Sequence, residues 1–353
     1  MNVKTADLAS PDKTARERGL RVVAIGGGTG LSTLLKGLKR FALAPAELRI
    51  PEPDSPVIRD LCAVVTVSDD GGSSGRLRKE LNMLPPGDIR NCIVALSEDE
   101  ALLSKLFRHR FDKGSGLEGH SFGNLFLAAL TSLTSDFSEA VRLSSEILVT
   151  RGHIYPATTS NIELEALMED GTRVRGETKI TASKGRIQEL FLMPPDPEPM
   201  PQTLEAIAHA DMITIGPGSL FTSLIPNLLV RGISQAIVDS PATKVYICNL
   251  MTQANESIGL TAADHIRALN RHAQKQIFDY ALINRTPASN EMKAKYALEG
   301  ASQIVNDLEA IEALGCIPVL GDYLEDDGVA RHNTALVARD LMQLAVQHPG
   351  SHK

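Results

Sequence analysis

Short apolar runs alternate with glycine-rich loops and helical patterns along most of the chain. Arg21 to Ile25 is a β-prone run that meets a glycine cluster, and a helical period follows from Leu31 to Leu38. Leu61 to Val67 is apolar throughout, as expected for a strand that helices cover on both faces of a parallel sheet. The runs Met212 to Ile215 and Lys244 to Cys248 share this pattern. The alternation predicts an α/β fold with a doubly wound, mostly parallel sheet.

One region departs from this alternation. Residues 161 to 191 alternate in polarity around the turn dipeptide Asp170-Gly171, which predicts a small β-rich insertion, a β-hairpin at about 160–195. The proline-rich stretch 194 to 201 predicts a stiff connector back to the α/β core. We expect a single domain over residues 21–345, between a disordered polar tail at 1–20 and a frayed C-terminal tail at 346–353.

Composition and charge exclude several classes of protein. Of 353 residues, 43% are hydrophobic and 22% are charged, which is ordinary for a globular chain. The net charge of -7 argues against nucleic acid as a partner, and every apolar run is shorter than the roughly 20 residues of a membrane-spanning helix. The four cysteines lie far apart, and the nine histidines form no metal-binding motif. We therefore expect buried free thiols and no transition-metal site.

The loop Gly26-Gly27-Gly28-Thr29-Gly30 joins the first strand to the first helix. Glycines let backbone amides approach an anion beside a helix N-terminus, so a phosphate or diphosphate is the ligand that this loop predicts. The loop lacks the third glycine of the dinucleotide-binding fingerprint and the Gly-Lys-Ser/Thr of a P-loop, so neither NAD binding nor ATP hydrolysis follows. The alternative is a turn that serves only strand-to-helix packing.

A second loop, Gly216-Pro217-Gly218-Ser219, also follows a strand and opens a helical pattern. Ligands of open α/β sheets bind at the carboxyl ends of the strands, so the two loops can grip one extended anion from two sides. Pro217 has no amide hydrogen, which leaves Gly218, Ser219 and Leu220 to supply the donors. The alternative is an accidental similarity between two glycine turns.

After the second strand, Asp69-Asp70-Gly71-Gly72-Ser73-Ser74-Gly75-Arg76 combines carboxylates, hydroxyls and a guanidinium group with a flexible backbone. Asp69 or Asp70 is suited to accept from a ribose or base, or to hold hydrated magnesium. The alternative is a solvated acidic turn. Further on, Leu84 to Asn91 predicts a rigid turn followed by a helix with Arg90 near its start, where Arg90 either pairs with phosphate or lies exposed.

Two segments match the G-x-S-x-G elbow of serine hydrolases, with Ser73 and Ser121 at their centres. The elbow places its serine directly after a strand, whereas loop residues intervene in both segments, so we interpret both matches as coincidental. His120, Ser121 and Asn124 open an apolar helix, where they either cap the helix or hold a ligand.

Together these loops resemble the 2-phospho-L-lactate transferase (CofD-like) superfamily, and within it the bacterial gluconeogenesis-factor (YvcK-type) branch. The resemblance extends from about residue 21 to 340, and several motifs in one order are more specific than a single glycine loop. The motifs are 25–32 (IGGGTGLS), 69–78 (DDGGSSGRLR), 84–91 (LPPGDIRN), 119–124 (GHSFGN), 216–219 (GPGS) and 245–253 (VYICNLMTQ).

The resemblance implies a Rossmann-like fold and a cytoplasmic regulatory protein that binds UDP-N-acetylglucosamine and is needed for cell shape and wall synthesis on gluconeogenic carbon sources. The archetypal members imply the alternative, a magnesium-dependent phosphoryl-group transferase acting on a nucleotide diphosphate conjugate. A homodimer and a protein partner in cell-wall synthesis stay open. Two segments depart from the branch pattern: Ala254-Asn255-Glu256 stands in place of Pro-Gly-Glu, and His332-Asn333 in place of His-Asp.

In the leading hypothesis, backbone amides of the two glycine loops hold the diphosphate, Arg76 or Arg90 neutralises it, and Asp69 and Asp70 orient the ligand. If a reaction is catalysed, the candidate catalytic residues are Asp69, Asp70 and His120, and Asp69 or Asp70 binds any magnesium. The residues expected to contact the ligand are Gly27, Gly28, Thr29, Gly30, Ser32, Asp69, Asp70, Ser73, Ser74, Gly75, Arg76, Arg90, Asn91, His120, Ser121, Asn124, Gly216, Gly218, Ser219, Thr222, Asn249 and Thr252.

Overall fold

A parallel β-sheet forms the centre of the computed structural model, which describes residues 19–43, 57–98, 102–183 and 185–347. Residues 1–18 and 348–353, and with them most of the two predicted tails, lie outside the described residues. The strands within the described ranges are β1 (Leu20–Gly26), β2 (Ile58–Val65), β3 (His153–Pro156), β4 (Glu163–Met168), β5 (Arg173–Arg175), β6 (Ile187–Met193), β7 (Met212–Ile215), β8 (Thr243–Ile247), β9 (Tyr280–Asn284), β10 (Ile317–Gly321), β11 (Leu324–Asp326) and β12 (Ala330–His332).

Helices connect and cover these strands. A 3-10 turn at Lys39–Phe41 and a π-helical turn at Leu220–Leu224 accompany them. The α-helices within the described ranges are α1 (Gly28–Leu38), α2 (Gly72–Leu81), α3 (Gly87–Leu96), α4 (Leu102–Arg108), α5 (Phe122–Thr134), α6 (Phe137–Ile147), α7 (Glu177–Ala182), α8 (Pro201–Ala208), α9 (Ile225–Leu228), α10 (Ile233–Asp239), α11 (Ala262–Ala273), α12 (Asn290–Ala297), α13 (Leu308–Ala313) and α14 (Thr334–Gln347).

The central sheet has the strand order β10-β9-β8-β7-β1-β2-β3, and every neighbouring pair in it is parallel. The chain adds β2 and β3 on one side of β1 and later adds β7 to β10 on the other side. The direction of winding therefore reverses between β1 and β7. In open α/β sheets, ligands bind outside the carboxyl ends of the strands at such a reversal.

The sheet is buried on both faces, which explains why its strands are apolar throughout. Ile25, Val64, Ile213 and Ile247 are each at most 1% exposed, although they lie on four different strands. Helix α1 packs against the sheet through Leu31, Leu34, Leu35 and Leu38, whose spacing follows the helical period. The predicted α/β fold with a mostly parallel sheet is confirmed.

The β-rich insertion is a three-stranded antiparallel sheet of order β5-β4-β6 and contains one strand more than the predicted hairpin. The turn between β4 and β5 contains Gly171, whose φ of +83° explains the glycine there. Strand β6 adds to the other edge of β4, and helix α7 connects β5 to β6. At the other end of the chain, α14 includes residues 346 and 347, which the sequence assigned to a frayed tail.

All four cysteines are buried and unpaired, as predicted. In the described part of the chain, no single helix combines the length and apolar composition needed to cross a membrane. The segments Leu220–Leu228 and Ile233–Asp239 meet that test only as a pair, with a bend of 74° between them.

Candidate functional site

The two glycine loops follow β1 and β7, the adjacent strands at which the winding reverses, and they touch. A Cβ atom added to Gly30 would lie 2.2 Å from the carbonyl oxygen of Pro217 and 3.0 Å from the Cα of Gly218. Only a residue without a side chain allows this approach. Glycine is therefore required at position 30 because it allows the two loops to pack against each other.

The first loop ends at the N-terminus of α1, where the Gly28 amide donates to the Asp88 carboxylate, whereas no acceptor for the Thr29 and Gly30 amides is found among the described residues. Helix α1 begins at Gly28 rather than at Leu31, three residues earlier than the apolar pattern predicted, and its N-cap residue is Gly27. Gly28 has a φ of +61°, and a Cβ there would meet only the Ser223 hydroxyl, at 3.6 Å. The open Thr29 and Gly30 amides and the partial positive charge of a helix N-terminus suit an anion.

The second loop is closed by side chains. The Gly218 amide donates to Asn249 Oδ1 (3.1 Å), and Asn249 Nδ2 donates back to the Gly218 carbonyl (2.7 Å). The buried carboxylate of Glu256 accepts from the amides of Phe221 and Thr222, both at 2.9 Å. The sequence analysis predicted that the Gly218 amide donates to a diphosphate, but in this structure that amide donates to Asn249.

Between the loops lies a cavity of about 420 Å³. Its far wall comes from the segment after β8 and from β12, with Tyr296 of α12 beside them. Such a volume falls within the range of small-molecule sites. The sequence analysis did not predict several of the residues that line the cavity. Two of them, Gln253 and His332, lie in segments that it had already singled out. The lining residues that it did not predict are Thr33, Pro217, Ser223, Leu250, Met251, Gln253, Tyr296, Ala330, Arg331 and His332.

The cation nearest to the cavity is not one that the sequence proposed. Arg331 lines the cavity and pairs with Asp327 at 2.6 Å. Arg76 donates to the Glu118 carbonyl, and Arg90 donates to Ser121 and to its neighbour Asn91. Among the described residues that line the cavity, neither Arg76 nor Arg90 appears, so the hypothesis that one of them neutralises a diphosphate there has no support in this geometry.

A second polar group lies beyond β2, where the N-termini of α2 and α5 meet. Ser73 Oγ is 2.9 Å from His120 Nδ1, and Asn124 Nδ2 donates to Ser73 Oγ at 3.1 Å. Burial, followed by the nearby Arg76, lowers the pKa of His120. Ser73 is 3% exposed and sits in the first turn of α2, away from any strand end, so it is not a nucleophile elbow.

The two aspartates that the sequence singled out are held by neighbouring donors. Asp69 Oδ1 accepts from the Gly71 amide (2.9 Å), and Asp70 Oδ1 accepts from the amide and hydroxyl of Thr178 (2.8 and 2.5 Å). No group of three or more His, Cys, Asp or Glu in the described ranges is arranged to hold a metal ion. Magnesium is usually held by one or two carboxylates together with water and phosphate oxygens, so Asp69 or Asp70 as its ligand stays a prediction.

Three further carboxyl groups, which the sequence analysis did not predict at this site, lie near these aspartates. Burial raises the pKa of Asp88 to about 6 and that of Glu177 to about 9, and the proximity of Asp69 adds to both shifts. Burial also raises the pKa of Glu256, although hydrogen bonds from Thr222 and Phe221 oppose the shift. The motifs contained Asp88, but nothing in the sequence indicated that the insertion brings Glu177 to this edge.

The predicted contact residues therefore divide into three groups. The cavity is lined by Gly27, Gly28, Thr29, Gly30, Gly218, Ser219, Asn249 and Thr252. Three others support the loops from outside the lining: the Ser32 hydroxyl donates to the Thr29 carbonyl, Thr222 is buried behind the loop, and Gly216 precedes it. The residues Asp69, Asp70, Ser73, Ser74, Gly75, Arg76, Arg90, Asn91, His120, Ser121 and Asn124 lie outside the lining of this cavity. Their contacts with a ligand stay predictions.

The two departures from the branch pattern keep the local backbone. Asn255 has a φ of +61°, a conformation that the usual glycine adopts freely and that asparagine tolerates better than other residues. Asn333 Oδ1 accepts from the Leu336 amide at 3.0 Å at the start of α14, the capping role that aspartate fills equally well. Both substitutions are therefore conservative in structure.

Comparison with known proteins agrees with this architecture. Residues 22–324 match the family described as 2-phospho-L-lactate transferase CofD. The chain is 49% identical over 324 residues to the gluconeogenesis factor of Halalkalibacterium halodurans, covering 91% of this chain and 95% of that protein. It is 47% identical over 326 residues to the gluconeogenesis factor of Bacillus subtilis, covering 92% and 98% respectively.

A solved structure has the same fold. A crystal structure of a Bacillus halodurans member of the UPF0052 family superposes with a TM-score of 0.85 at 48% identity, covering 92% of this chain and 99% of that one. The family match spans most of the chain, and the relatives align nearly end to end. The chain therefore belongs to the CofD family, among its members called gluconeogenesis factors.

Proposed function

We propose that this protein binds a nucleotide sugar, UDP-N-acetylglucosamine, in the cavity between the two glycine loops. The observation that carries the proposal is the N-terminus of α1 beside that cavity, whose Thr29 and Gly30 amides are open, at the reversal of winding between β1 and β7. The diphosphate accepts from the Thr29 and Gly30 amides, where the helix dipole favours negative charge. Arg331 supplies the balancing cation.

The remaining walls suit the uncharged parts of such a ligand. Gln253 presents an amide oxygen that accepts no hydrogen bond from the described residues, and Tyr296 presents an aromatic ring. Asn249 and Thr252 bond to Gly218 and Ser302 and shape the wall. Hydroxyl and amide groups recognise ribose and sugar oxygens, whereas an aromatic face suits a base. The volume of about 420 Å³ accommodates a ligand of this class.

In this proposal the protein is a cytoplasmic regulator that reports the supply of nucleotide sugar to cell-wall synthesis and cell shape during growth on gluconeogenic carbon. The support is the name gluconeogenesis factor carried by relatives at 47–49% identity, together with a site that offers binding groups without an evident catalytic step. A homodimer and a protein partner in wall synthesis belong to the same proposal.

A second candidate function is phosphoryl transfer, which one contact favours. His120 lies 2.9 Å from the Ser73 hydroxyl, and its lowered pKa keeps it neutral, as a general base requires. In that reaction the acceptor hydroxyl would give its proton to His120 while its oxygen bonds to the distal phosphorus of the diphosphate conjugate, the P–O–P bond would break, and the nucleoside monophosphate would leave. The family description as a transferase is consistent with this alternative.

The test is calorimetric titration with UDP-N-acetylglucosamine, UDP-glucose, UDP and GDP, with and without magnesium, followed by analysis of the mixture for turnover. Binding with the ligand recovered intact supports the regulator, and transfer or breakdown supports the enzyme. Arg331→Ala should weaken binding at least tenfold, whereas the control Arg142→Ala, an exposed arginine paired with Glu139 on α6, should not. Absence of binding by every nucleotide contradicts the proposal.

A further inference from the structure

At each glycine loop, a carboxylate from another part of the chain accepts hydrogen bonds from backbone amides. Asp88, in the first turn of α3, accepts from the Gly28 amide, and a Cβ on Gly27 would lie 3.0 Å from Asp88 Oδ2. Glu256 accepts from the Phe221 and Thr222 amides at the second loop. The loops that favour an anion thus already face two negative groups of the protein itself.

The charge of Asp88 is balanced only in part, by Arg90 on the same helix, whose positive charge opposes the rise in the pKa of Asp88. Asp69 from the loop after β2 adds negative charge beside Asp88, whereas Glu177 from α7, with a pKa of about 9, keeps its proton at pH 7.5, and Cys92 on α3 is buried and uncharged. Arg90 on the same helix donates its hydrogen bonds to Ser121 and Asn91. At pH 7.5 an ionised Asp88 therefore sets a negative potential beside the N-terminus of α1.

This potential discriminates among nucleotides by their charge. A diphosphate esterified at both ends has two ionised oxygens, a free nucleoside diphosphate approaches three, and a triphosphate approaches four. The N-terminus of α1 and Arg331 attract the first two charges, and Arg331 is already shared with Asp327. Each further charge meets Asp88 without a new cation to offset it, at an energetic cost that a half-buried site screens only in part.

We infer that Asp88 is a specificity-determining residue that makes the site select a doubly esterified nucleoside diphosphate over nucleotides that end in a free phosphate. This inference rests on the proposed nucleotide site. Asp88 does not contact the base or the sugar in this scheme; it rejects the additional charge of a terminal phosphate. In a nucleotide sugar, the terminal phosphate is esterified to the sugar and therefore lacks that additional charge.

The test compares UDP-N-acetylglucosamine, UDP and UTP by calorimetry at pH 7.5 and fixed ionic strength, without magnesium. The wild type should prefer the sugar nucleotide to UTP by about tenfold or more. Asp88→Asn keeps an oxygen that accepts from Gly28, so the loop should stay in place while UTP binding strengthens about tenfold and sugar-nucleotide binding changes by less than about threefold. The control is Asp60→Asn, at the opposite end of β2, which should change neither ratio.

A second measurement does not depend on the variant. Raising the salt concentration from about 50 to 500 mM screens the repulsion, so the deficit of UTP relative to the sugar nucleotide in the wild type should shrink. An unchanged deficit, or an unchanged UTP ratio in a folded Asp88→Asn protein, overturns the inference. Equal wild-type affinity for all three nucleotides also overturns it but leaves the proposed function standing. Failure of all three to bind contradicts the proposed function itself.

Discussion

The two glycine loops share a sequence pattern and a place on the sheet, yet they end differently. The first loop gives its Gly28 amide to Asp88 but leaves the Thr29 and Gly30 amides of α1 open beside the cavity. The second continues into a π-helical turn whose amides are occupied by Glu256, and its glycine amide is occupied by Asn249. One loop therefore offers its donors to a ligand, whereas the other uses them to hold its own shape.

The difference shows that a glycine-rich loop after a strand predicts where a ligand site lies on the sheet, but not whether the loop itself binds the ligand. Both loops require glycine, but Gly30 is needed for contact with Pro217, whereas Gly28 is needed for a left-handed backbone. Neither requirement by itself implies a bound phosphate. Open amides at a helix N-terminus favour a phosphate, and the first loop keeps those of Thr29 and Gly30 open, whereas Glu256 occupies the Phe221 and Thr222 amides of the second.

The largest expected effect comes from separating the loops. Gly30→Ala places a Cβ atom 2.2 Å from the Pro217 carbonyl oxygen, and backbone atoms cannot yield as a side chain can. We expect the free energy of unfolding to fall by about 3 kcal/mol or more, with loss of nucleotide binding. Urea denaturation measures the first effect and calorimetry the second.

Gly28→Ala is the matched control for that substitution. It meets no atom closer than 3.6 Å but adopts a left-handed φ, so it should cost only about 1–2 kcal/mol. Equal destabilisation by the two variants would mean that the contact between the loops does not limit stability.

A smaller effect is expected where the second loop is braced. Glu256→Ala removes the acceptor of two buried amides and should lower the free energy of unfolding by about 2 kcal/mol. Glu256→Gln keeps a carbonyl oxygen and should cost about 1 kcal/mol or less. If the two variants unfold at the same urea concentration, the amides of the second loop do not depend on this side chain.

The pH dependence of stability tests the carboxyl cluster that joins the loops. Burial raises the pKa of Glu177 to about 9 in the folded protein, so the folded state holds a proton that the unfolded state has released. Stability should therefore fall as the pH rises from about 5 towards 9, with a slope below the limit of about 1.4 kcal/mol per pH unit for one proton. Asp88, with a pKa of about 6, adds to the slope only below pH 6.

Glu177→Gln removes the titrating proton and should flatten the profile between pH 6 and 9. Thermal denaturation at intervals of half a pH unit provides the measurement. Glu146→Gln, an exposed carboxylate on α6 that pairs with Arg142, serves as the control and should leave the profile unchanged. A steep profile in the Glu177 variant would assign the pH dependence to another group.

The sequence predicted the sheet and the positions of the loops because burial on both faces makes strands continuously apolar and because tight turns require glycine. It misplaced the start of α1 because glycine is a poor helix former; the first turn tolerates it since those amides have no partner within the helix. Glu177 and Tyr296 could not be predicted, because their place at the site depends on how the insertion and α12 fold back onto the sheet edge.

The smallest expected effect lies in the segment that positions Glu256. Asn255 holds a φ of +61°, and its side chain donates to the Thr181 carbonyl at 3.3 Å. Asn255→Ala and Asn255→Gly both lose that hydrogen bond, but only alanine resists the left-handed backbone, so Asn255→Ala should be less stable than Asn255→Gly by about 1 kcal/mol. Urea denaturation of the two variants gives the difference directly. Equal stability of the two variants would contradict the prediction, because it would mean that the left-handed backbone at position 255 costs alanine nothing relative to glycine.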